Sequence, residues 1–171
     1  MAIGGANAYK AARMITVVQR VARAQVTVDG EVVGKIGRGL LLLVGVERGD
    51  EAADADATAR KIHKLRCFPG KTPMDQTVGQ VEGGCLVVSQ FTLAAELAQG
   101  NRPSFVMAED LEPAKALYER VCEQLRQAGV PVETGRFGAK MAVELENDGP
   151  VTFLVKVRGG SVQSRDAAAD S

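Results

Sequence analysis

One apolar run constrains the fold of this chain more than any other feature. It extends from Leu40 to Val46, and Gly45 is the only residue within it that lacks a large apolar side chain. A continuous run of this length is typical of a strand that is buried on both faces of a sheet. We therefore predict that it forms the central strand. The run is far shorter than the roughly 18–20 residues that a membrane-spanning helix needs. The sequence has no longer apolar run, so we exclude a membrane protein.

Turn signals and periodicity on either side of this run predict the other elements. Val26 and Val28 alternate with polar residues before Asp29-Gly30, a dipeptide that favours a tight hairpin turn, and the return strand begins at Val32. After the apolar run we predict a helix from Glu51 to Arg66 with Asp50 as its N-cap, then a loop over residues 69–84 and a strand from Cys85 to Phe91. A second helix is predicted from Glu112 to Ala128, and Gly129 ends it. The last two predicted strands are Met141 to Leu145 and Val151 to Val157, joined by a turn at Asn147-Asp148-Gly149-Pro150.

These elements predict an α+β domain. Hairpins outnumber strand-helix-strand repeats, so we expect a curved antiparallel or mixed sheet with two main helices. With 171 residues, of which 46% are apolar, the chain suits one domain. We expect residues 1–13 to form a disordered extension, with Met14 as an alternative start. Residues 158–171 have almost no large apolar side chains, so we expect a disordered tail there.

Charge and cysteine content restrict the compartment and the partners. The chain has 21 Lys and Arg against 21 Asp and Glu, so its net charge is zero. Basic residues between Arg60 and Lys71 are typical of a solvated helix face, and a local phosphate contact is the alternative. Cys67, Cys85 and Cys122 are odd in number and far apart. This spacing speaks against a disulfide framework and favours a cytoplasmic location.

The sequence excludes several kinds of active site. Its only histidine, His63, lies on the polar flank of the first predicted helix, where we expect a solvated side chain. A catalytic zinc needs about three protein ligands, and a Ser-His-Asp triad needs an imidazole beside the nucleophile. No phosphate-binding or dinucleotide-binding glycine motif is present in the sequence. We therefore expect no protein-held metal and no cofactor.

Two polar segments remain as candidates for chemistry. Ser89-Gln90-Phe91-Thr92-Leu93 follows the apolar residues Leu86-Val87-Val88, and the alternation of a strand would send its odd-numbered and even-numbered side chains to opposite faces. By local rules this segment is a strand end whose hydroxyls are hydrogen-bonded. By the same rules Asn147-Asp148-Gly149-Pro150 is a turn. Neither segment alone identifies an active site.

Together, however, these segments resemble the D-aminoacyl-tRNA deacylase family. The resemblance covers residues 14–157 and also includes Gln19-Arg20-Val21, Asn101-Arg102-Pro103-Ser104-Phe105 and Thr134-Gly135-Arg136-Phe137. It implies a homodimer with a β-barrel-like core. It also implies an enzyme that hydrolyses the ester between a D-amino acid and the 3′ end of tRNA, and that removes glycine wrongly attached to alanine tRNA.

The resemblance further assigns roles to individual residues. It implies that the Gly149-Pro150 peptide is cis and enters the partner subunit's pocket, where it sorts D from L substrates. Arg20 should lie beside this peptide and orient it, and a surface arginine at a strand end is the alternative. The residues implied to line the pocket are Ser89, Gln90, Phe91, Thr92, Phe137 and Met141. For Phe137 and Met141, plain core packing fits the sequence equally well.

Thr92 allows two mechanisms. It is a candidate nucleophile, but a threonine hydroxyl is weak without a base, and no imidazole is available to activate it. We therefore expect the main-chain N–H groups of Gln90 and Phe91 to stabilise the developing oxyanion, while Thr92 orients the reactants and the 2′-hydroxyl of the terminal adenosine helps to activate water. The alternative function is a module of the same fold that binds tRNA or another nucleic acid without cleaving it.

Overall fold

The computed structural model describes residues 13–165. The strands are β1 (Met14–Val28), β2 (Glu31–Ile36), β3 (Gly39–Gly45), β4 (Gly84–Ser89), β5 (Val132–Thr134), β6 (Ala142–Arg158) and β7 (Ser161–Val162). The helices are α1 (Ala52–Lys64), a 3₁₀ helix (Phe91–Ala94) and α2 (Leu111–Gln127). Within these residues, no helix combines the length and the apolar character that a membrane span requires.

The strands form one curled mixed sheet in the order β5-β4-β3-β1-β6-β7, and β2 pairs with the second half of β1. The β3-β4 and β4-β5 pairs are parallel, whereas the pairs made by β1 and β6 are antiparallel. The curl brings β2 close to β5. A Cβ atom at Gly34 would lie 2.3 Å from the carbonyl oxygen of Thr134, so only glycine permits this approach. The predicted α+β class with a curved, barrel-like sheet is confirmed.

β3 is buried on both faces, as the apolar run predicted. Leu40 and Leu42 belong to a core cluster that lies beneath α1 and α2. Leu41 points the other way, into a second cluster inside the curl of the sheet, where it joins Val26 and Leu86. Both helices pack on the first face, so the second face stays enclosed by the sheet itself.

The predicted hairpin between two C-terminal strands is wrong. β6 is one strand, and both of its halves run antiparallel to β1. Gln19 pairs with Thr152 and Val21 pairs with Asn147, so residues 148–151 stand opposite Arg20 alone. The turn-forming sequence therefore makes a wide bulge within a continuous strand. Bulges of this kind redirect side chains without ending the pairing.

The start of α1 and the end of β4 differ from the prediction. The N-cap of α1 is Glu51 rather than Asp50, because the Asp50 carboxylate accepts a hydrogen bond of 2.7 Å from the Glu47 N–H instead. The strand predicted to reach Phe91 ends at Ser89, and the 3₁₀ helix follows. The alternation expected for residues 89–93 is therefore wrong. By contrast, α2 lies within one residue of its predicted ends.

The prediction places the start of the disordered tail too early in the chain. Ser161 and Val162 form β7 and pair with the end of β6, and the N–H of Gly160 donates to Asp54 Oδ1 at 2.8 Å. These contacts attach residues 158–162 to the sheet and to α1. The predicted extension over residues 1–13 falls almost wholly outside the described residues, as does the end of the tail beyond residue 165.

Candidate active site

A cavity of about 370 Å³ opens where the ends of β3 and β4 meet the start of α2 and the loop between β5 and β6. It brings together a subset of the predicted site residues, namely Ser89, Gln90, Phe91, Phe137 and Met141. Its remaining lining is largely apolar and consists of Val44, Val46, Val88, Ala108, Glu109, Leu111, Ala114, Gly138, Ala139 and Val143. An apolar cavity with a few polar groups is the usual form of a small-ligand site.

In the described part of the chain, the backbone that follows β4 has unpaired amides at Phe91 and Thr92, beside this cavity. The Gln90 N–H donates to the carbonyl of Val44 at 2.8 Å, so it extends the sheet and is not available to a ligand. Among the described residues, no hydrogen bond from the N–H of Phe91 is found, because the 3₁₀ helix begins there and leaves its first amides unpaired. The prediction that both amides face a substrate is therefore wrong for Gln90.

Thr92 lies at the mouth of this region rather than in its lining. Its side chain is exposed, and it is absent from the residues that line the cavity. The side-chain amide of Gln90 donates a hydrogen bond to Thr92 Oγ1. The nearest polar neighbour of the hydroxyl is thus an amide donor, which cannot remove its proton.

The Gly149-Pro150 peptide lies on β6, away from the cavity of its own chain. The peptide bond is cis. Gly149 has φ +128°, and a Cβ atom there would lie 2.7 Å from Val151 Cγ2 and 3.1 Å from Arg20 Nη2. A side chain at this position would be strained and would collide with its neighbours. Both residues are exposed in the single chain.

Arg20 holds the bulge that carries this peptide. Its Nε donates to the carbonyl of Asp148 at 3.2 Å and lies 3.1 Å from Asp148 Oδ2, and its Nη1 donates to the carbonyl of Cys67 at 2.8 Å. The side chain is almost fully buried, with the residue 8% exposed. It is therefore not the surface arginine that was the alternative. Asn147 completes the arrangement, since its Nδ2 donates to the carbonyls of Arg20 and Val151 at 3.0 Å.

Several contributors to the cavity were not found by sequence reasoning. The cavity also contains residues that carry no chemical motif, namely Ala108, Glu109, Leu111 and Ala114. They reach it because backbone hydrogen bonds tie residues 107–109 to residues 46–48, which follow β3. Tyr118 was missed because it does not line the cavity and instead supports residues that do or that adjoin it. Its hydroxyl donates to the carbonyl of Val87 at 2.7 Å, and its ring lies 5.7 Å from that of Phe137. Burial raises the pKa of Tyr118 well above its usual range, so the hydroxyl stays a donor.

A buried carboxyl lies next to the segment that lines the cavity. Burial raises the pKa of Asp50 to about 7, and the nearby carboxylates of Asp54, Glu47 and Glu109 add to this effect. Burial also raises the pKa of Glu47. Within residues 13–165, the acidic, cysteine and histidine side chains form no group that could hold a metal ion. His63 is only partly buried, and its Nδ1 has no hydrogen-bond partner among these residues.

The sequence profile described as D-Tyr-tRNA(Tyr) deacylase matches residues 17–156 of this chain. The chain belongs to the D-Tyr-tRNA(Tyr) deacylase family. The region of the chain that matches this deacylase family contains every predicted site residue, from Arg20 to Pro150. It also contains the whole lining of the cavity.

Individual relatives agree with this membership. A protein named D-aminoacyl-tRNA deacylase from Anaeromyxobacter dehalogenans (strain 2CP-C) is 54% identical over 146 residues, which cover 85% of this chain and 98% of that protein. A solved structure named c-Myc DNA Unwinding Element Binding Protein is 39% identical, covers 83% of this chain and 97% of its own, and has a TM-score of 0.78. A second solved structure, of a eukaryotic protein, is 18% identical over 85% of this chain and all of its own, with a TM-score of 0.73, and shows the shared fold alone.

Proposed function

We propose that this protein hydrolyses the ester bond of D-aminoacyl-tRNA and releases the free D-amino acid and tRNA. The observation that carries the proposal is the match of the deacylase family over residues 17–156, which includes the cavity and the Gly149-Pro150 bulge. The relative from Anaeromyxobacter dehalogenans carries the corresponding name and aligns over 98% of its length. The alignment thus covers nearly the whole length of that relative.

The cavity is the place where the aminoacylated adenosine of the tRNA would bind. Its volume of about 370 Å³ and its apolar lining suit a nucleoside with an attached amino acid. The unpaired N–H of Phe91 would donate to the ester oxygen as negative charge develops on it. Such a donor stabilises the transition state more than the ground state, because the charge exists only there.

Thr92 would orient the substrate rather than attack it. Its hydroxyl accepts a hydrogen bond from the Gln90 amide, and within residues 13–165 no hydrogen bond joins it to a carboxylate or an imidazole. An unactivated hydroxyl is a poor nucleophile. The 2′-hydroxyl of the terminal adenosine lies one carbon from the ester in the substrate itself, so it would help to position or deprotonate the attacking water.

The active form would be a homodimer. On the side of β6 that faces away from β1, the described part of the chain pairs only with β7, at Val157 and Arg158. Most of a 17-residue strand therefore has an unpaired edge, which is a surface that another chain can pair with. Leu145, Phe153 and Leu154 of the same strand are exposed apolar side chains. A two-fold pairing of β6 with its copy would cover both features.

Discrimination between D and L substrates would come from the Gly149-Pro150 peptide of the partner subunit. On its own chain this peptide is exposed and is absent from the cavity lining. The main-chain carbonyls of this peptide, which lies in the bulge that Arg20 holds at Asp148, would accept hydrogen bonds from the ammonium group of a D substrate and leave no space for an L side chain. Glycine has no side chain to exclude, so glycine attached to alanine tRNA would also be hydrolysed.

The proposal is tested by incubating the purified protein with D-tyrosyl-tRNA, with L-tyrosyl-tRNA and with alanine tRNA that carries glycine, and measuring the released amino acid. We expect rapid release from the first and third and at least about 100-fold slower release from the second, which corresponds to roughly 3 kcal/mol. Equal release of both tyrosine enantiomers would contradict the chiral part of the proposal.

Nucleic-acid binding without cleavage is the second candidate function. It is favoured by the name of the 39% identical structure, which describes a protein that binds a DNA unwinding element. The same incubation distinguishes the two functions. A binding module would retard the tRNA on a gel and release no amino acid from any of the three esters.

A further inference from the structure

We propose that Phe91 and Phe105 form a stacking platform for the nucleotide that precedes the terminal adenosine of the substrate RNA. This inference rests on the proposed function, and it extends that function from the cavity to the adjoining surface. The penultimate base is a part of the substrate that would lie outside the cavity.

The two rings are exposed and in contact with each other. Their centroids lie 5.1 Å apart, with the planes inclined by 58°. Phe91 is 59% exposed and Phe105 is 39% exposed. The chain has only five Phe, two Tyr and no Trp, so an exposed aromatic pair is an unusual use of these residues here. Exposed apolar surface next to a cavity is typical of a binding surface.

The pair is continuous with the cavity. Phe91 belongs to the cavity lining, whereas Phe105 does not. The pair therefore leads from the mouth of the cavity outward. A chain whose last nucleoside occupies the cavity would pass these rings with its next nucleotide. The base of that nucleotide needs a flat apolar partner, because the single-stranded 3′ end offers it no paired base.

Each ring is positioned by its own segment of backbone. Phe91 begins the 3₁₀ helix that follows β4. Phe105 follows a paired bridge between Glu96 and Ser104, and its carbonyl accepts a hydrogen bond of 3.0 Å from the Ala108 N–H. The backbone of each residue is therefore held by a separate set of hydrogen bonds, and the rings contact each other. A fixed pair of rings loses little side-chain entropy when a base stacks on it.

Three cations in the segments that carry Phe105 and the cavity wall are available to a phosphate backbone. Arg102 lies in the same segment as Phe105, and Arg136 and Lys140 flank the loop residues of the cavity wall. All three are exposed, and among residues 13–165 none of them takes part in an ion pair. Aromatic rings beside free cations are the usual combination for single-stranded RNA.

The test compares D-tyrosyl esters of adenosine and of cytidylyl-(3′,5′)-adenosine as substrates of the full protein. For Phe105→Leu, we expect kcat/KM with the dinucleotide ester to fall about 5-fold to 100-fold, the range expected for one lost stacking contact. With the adenosine ester it should be unchanged, because adenosine alone does not reach Phe105. Phe105→Tyr should retain activity on both esters. Val106→Ala is the matched control, since Val106 is the neighbouring residue and is 73% exposed.

Three outcomes would overturn the proposal. One is an equal fall on both esters, which would indicate a structural effect on the cavity. Another is an unchanged kcat/KM on the dinucleotide ester. The third is conversion of a dimer to a monomer by Phe105→Leu, since the rings would then pack against a second copy. Measuring the equilibrium binding of unesterified cytidylyl-(3′,5′)-adenosine and of adenosine tests the stacking platform independently of the deacylase function. If no ester is cleaved but Phe105→Leu weakens only dinucleotide binding, the platform stands and the deacylase function fails.

Discussion

Arg20 connects three segments that are far apart in the sequence. It lies on β1, donates to a carbonyl of the chain after α1, at Cys67, and donates to Asp148 on β6. Because it is almost fully buried, these contacts face little competition from water. A lysine carries its three donors on a single nitrogen, so it lacks the separate Nε and Nη1 donors with which the planar guanidinium reaches both partners here.

We therefore expect Arg20→Lys and Arg20→Ala to lower the free energy of unfolding by on the order of 2 kcal/mol, the cost of losing buried hydrogen bonds to a charged group. Both should also reduce kcat/KM on D-tyrosyl-tRNA, because the Gly149-Pro150 peptide loses its support. The control is Arg23→Ala on the same strand, whose ion pair with Glu146 is exposed on both sides. It should cost less than about 1 kcal/mol. Urea unfolding and steady-state kinetics measure these effects, and equal behaviour of the variants at the two positions would contradict this role for Arg20.

Thr92 provides a second prediction at this scale. If its hydroxyl orients the substrate, Thr92→Ala should retain measurable activity, with kcat reduced about 10-fold to 100-fold. Replacing the 2′-hydroxyl of the terminal adenosine by hydrogen should nearly abolish hydrolysis by the unmodified protein. Single-turnover assays with both substrates separate the two contributions. A Thr92→Ala variant that binds substrate normally but shows no chemistry would make Thr92 the nucleophile.

At the scale of elements, the sequence predicted those whose signals are local. The apolar run of β3 depends only on neighbours along the chain, and so does the spacing of Leu117, Val121 and Leu125 at every fourth residue of α2. Both elements were located correctly. The bulge of β6 was misassigned because its pairing partner is β1, at the other end of the chain. Local turn propensity at Asn147-Asp148-Gly149-Pro150 is real, but tertiary pairing decides its outcome. The segment 108–114 lines the cavity only through tertiary contacts, so no sequence signal marked it.

Asp50, in the turn between β3 and α1, makes the free energy of unfolding depend on pH. Asp50 is 8% exposed, and burial raises its pKa from 3.8 to about 7. Between these two values the folded chain keeps a proton on Asp50 that the unfolded chain has released. The contribution of Asp50 to stability therefore decreases as the pH rises from about 3.8 to about 7, and it stays at its low value above that pH.

Asp50→Asn should remove this dependence. The amide oxygen can still accept the hydrogen bond from the Glu47 N–H, so we expect the variant to be more stable than the wild type at pH 8, by on the order of 1–3 kcal/mol. Near pH 4 the two proteins should be equally stable. Asp56→Asn is a control of opposite sign, because Arg120 lowers the pKa of Asp56 and the variant loses that ion pair at pH 8. Urea midpoints at both pH values measure the effect, and parallel pH profiles for Asp50→Asn and the wild type would contradict it.

At the scale of the whole molecule, the two halves of the proposed site lie in different places on one chain. The cavity is bounded by β3, β4 and α2, whereas Gly149 and Pro150 are exposed on β6. Sequence resemblance implied a dimer, but no pattern in the residues themselves indicates how two chains meet. The unpaired edge of β6 gives that implication a physical basis, since a second copy would satisfy its backbone groups. A mass of twice 18.0 kDa in solution is the first expectation.

A mixing experiment tests whether each active site needs both subunits. Gly149→Val should inactivate the peptide, because its side chain would collide with Val151 and Arg20. Ala139→Phe should fill the cavity, since Ala139 belongs to its lining. Each variant alone should be inactive on D-tyrosyl-tRNA. After joint unfolding and refolding, half of the dimers should be mixed, and each mixed dimer should have one site with an intact cavity and an intact partner peptide. About one quarter of all sites should then be active. If peptide and cavity acted within one chain, every mixed dimer would have two defective sites, and no activity would return.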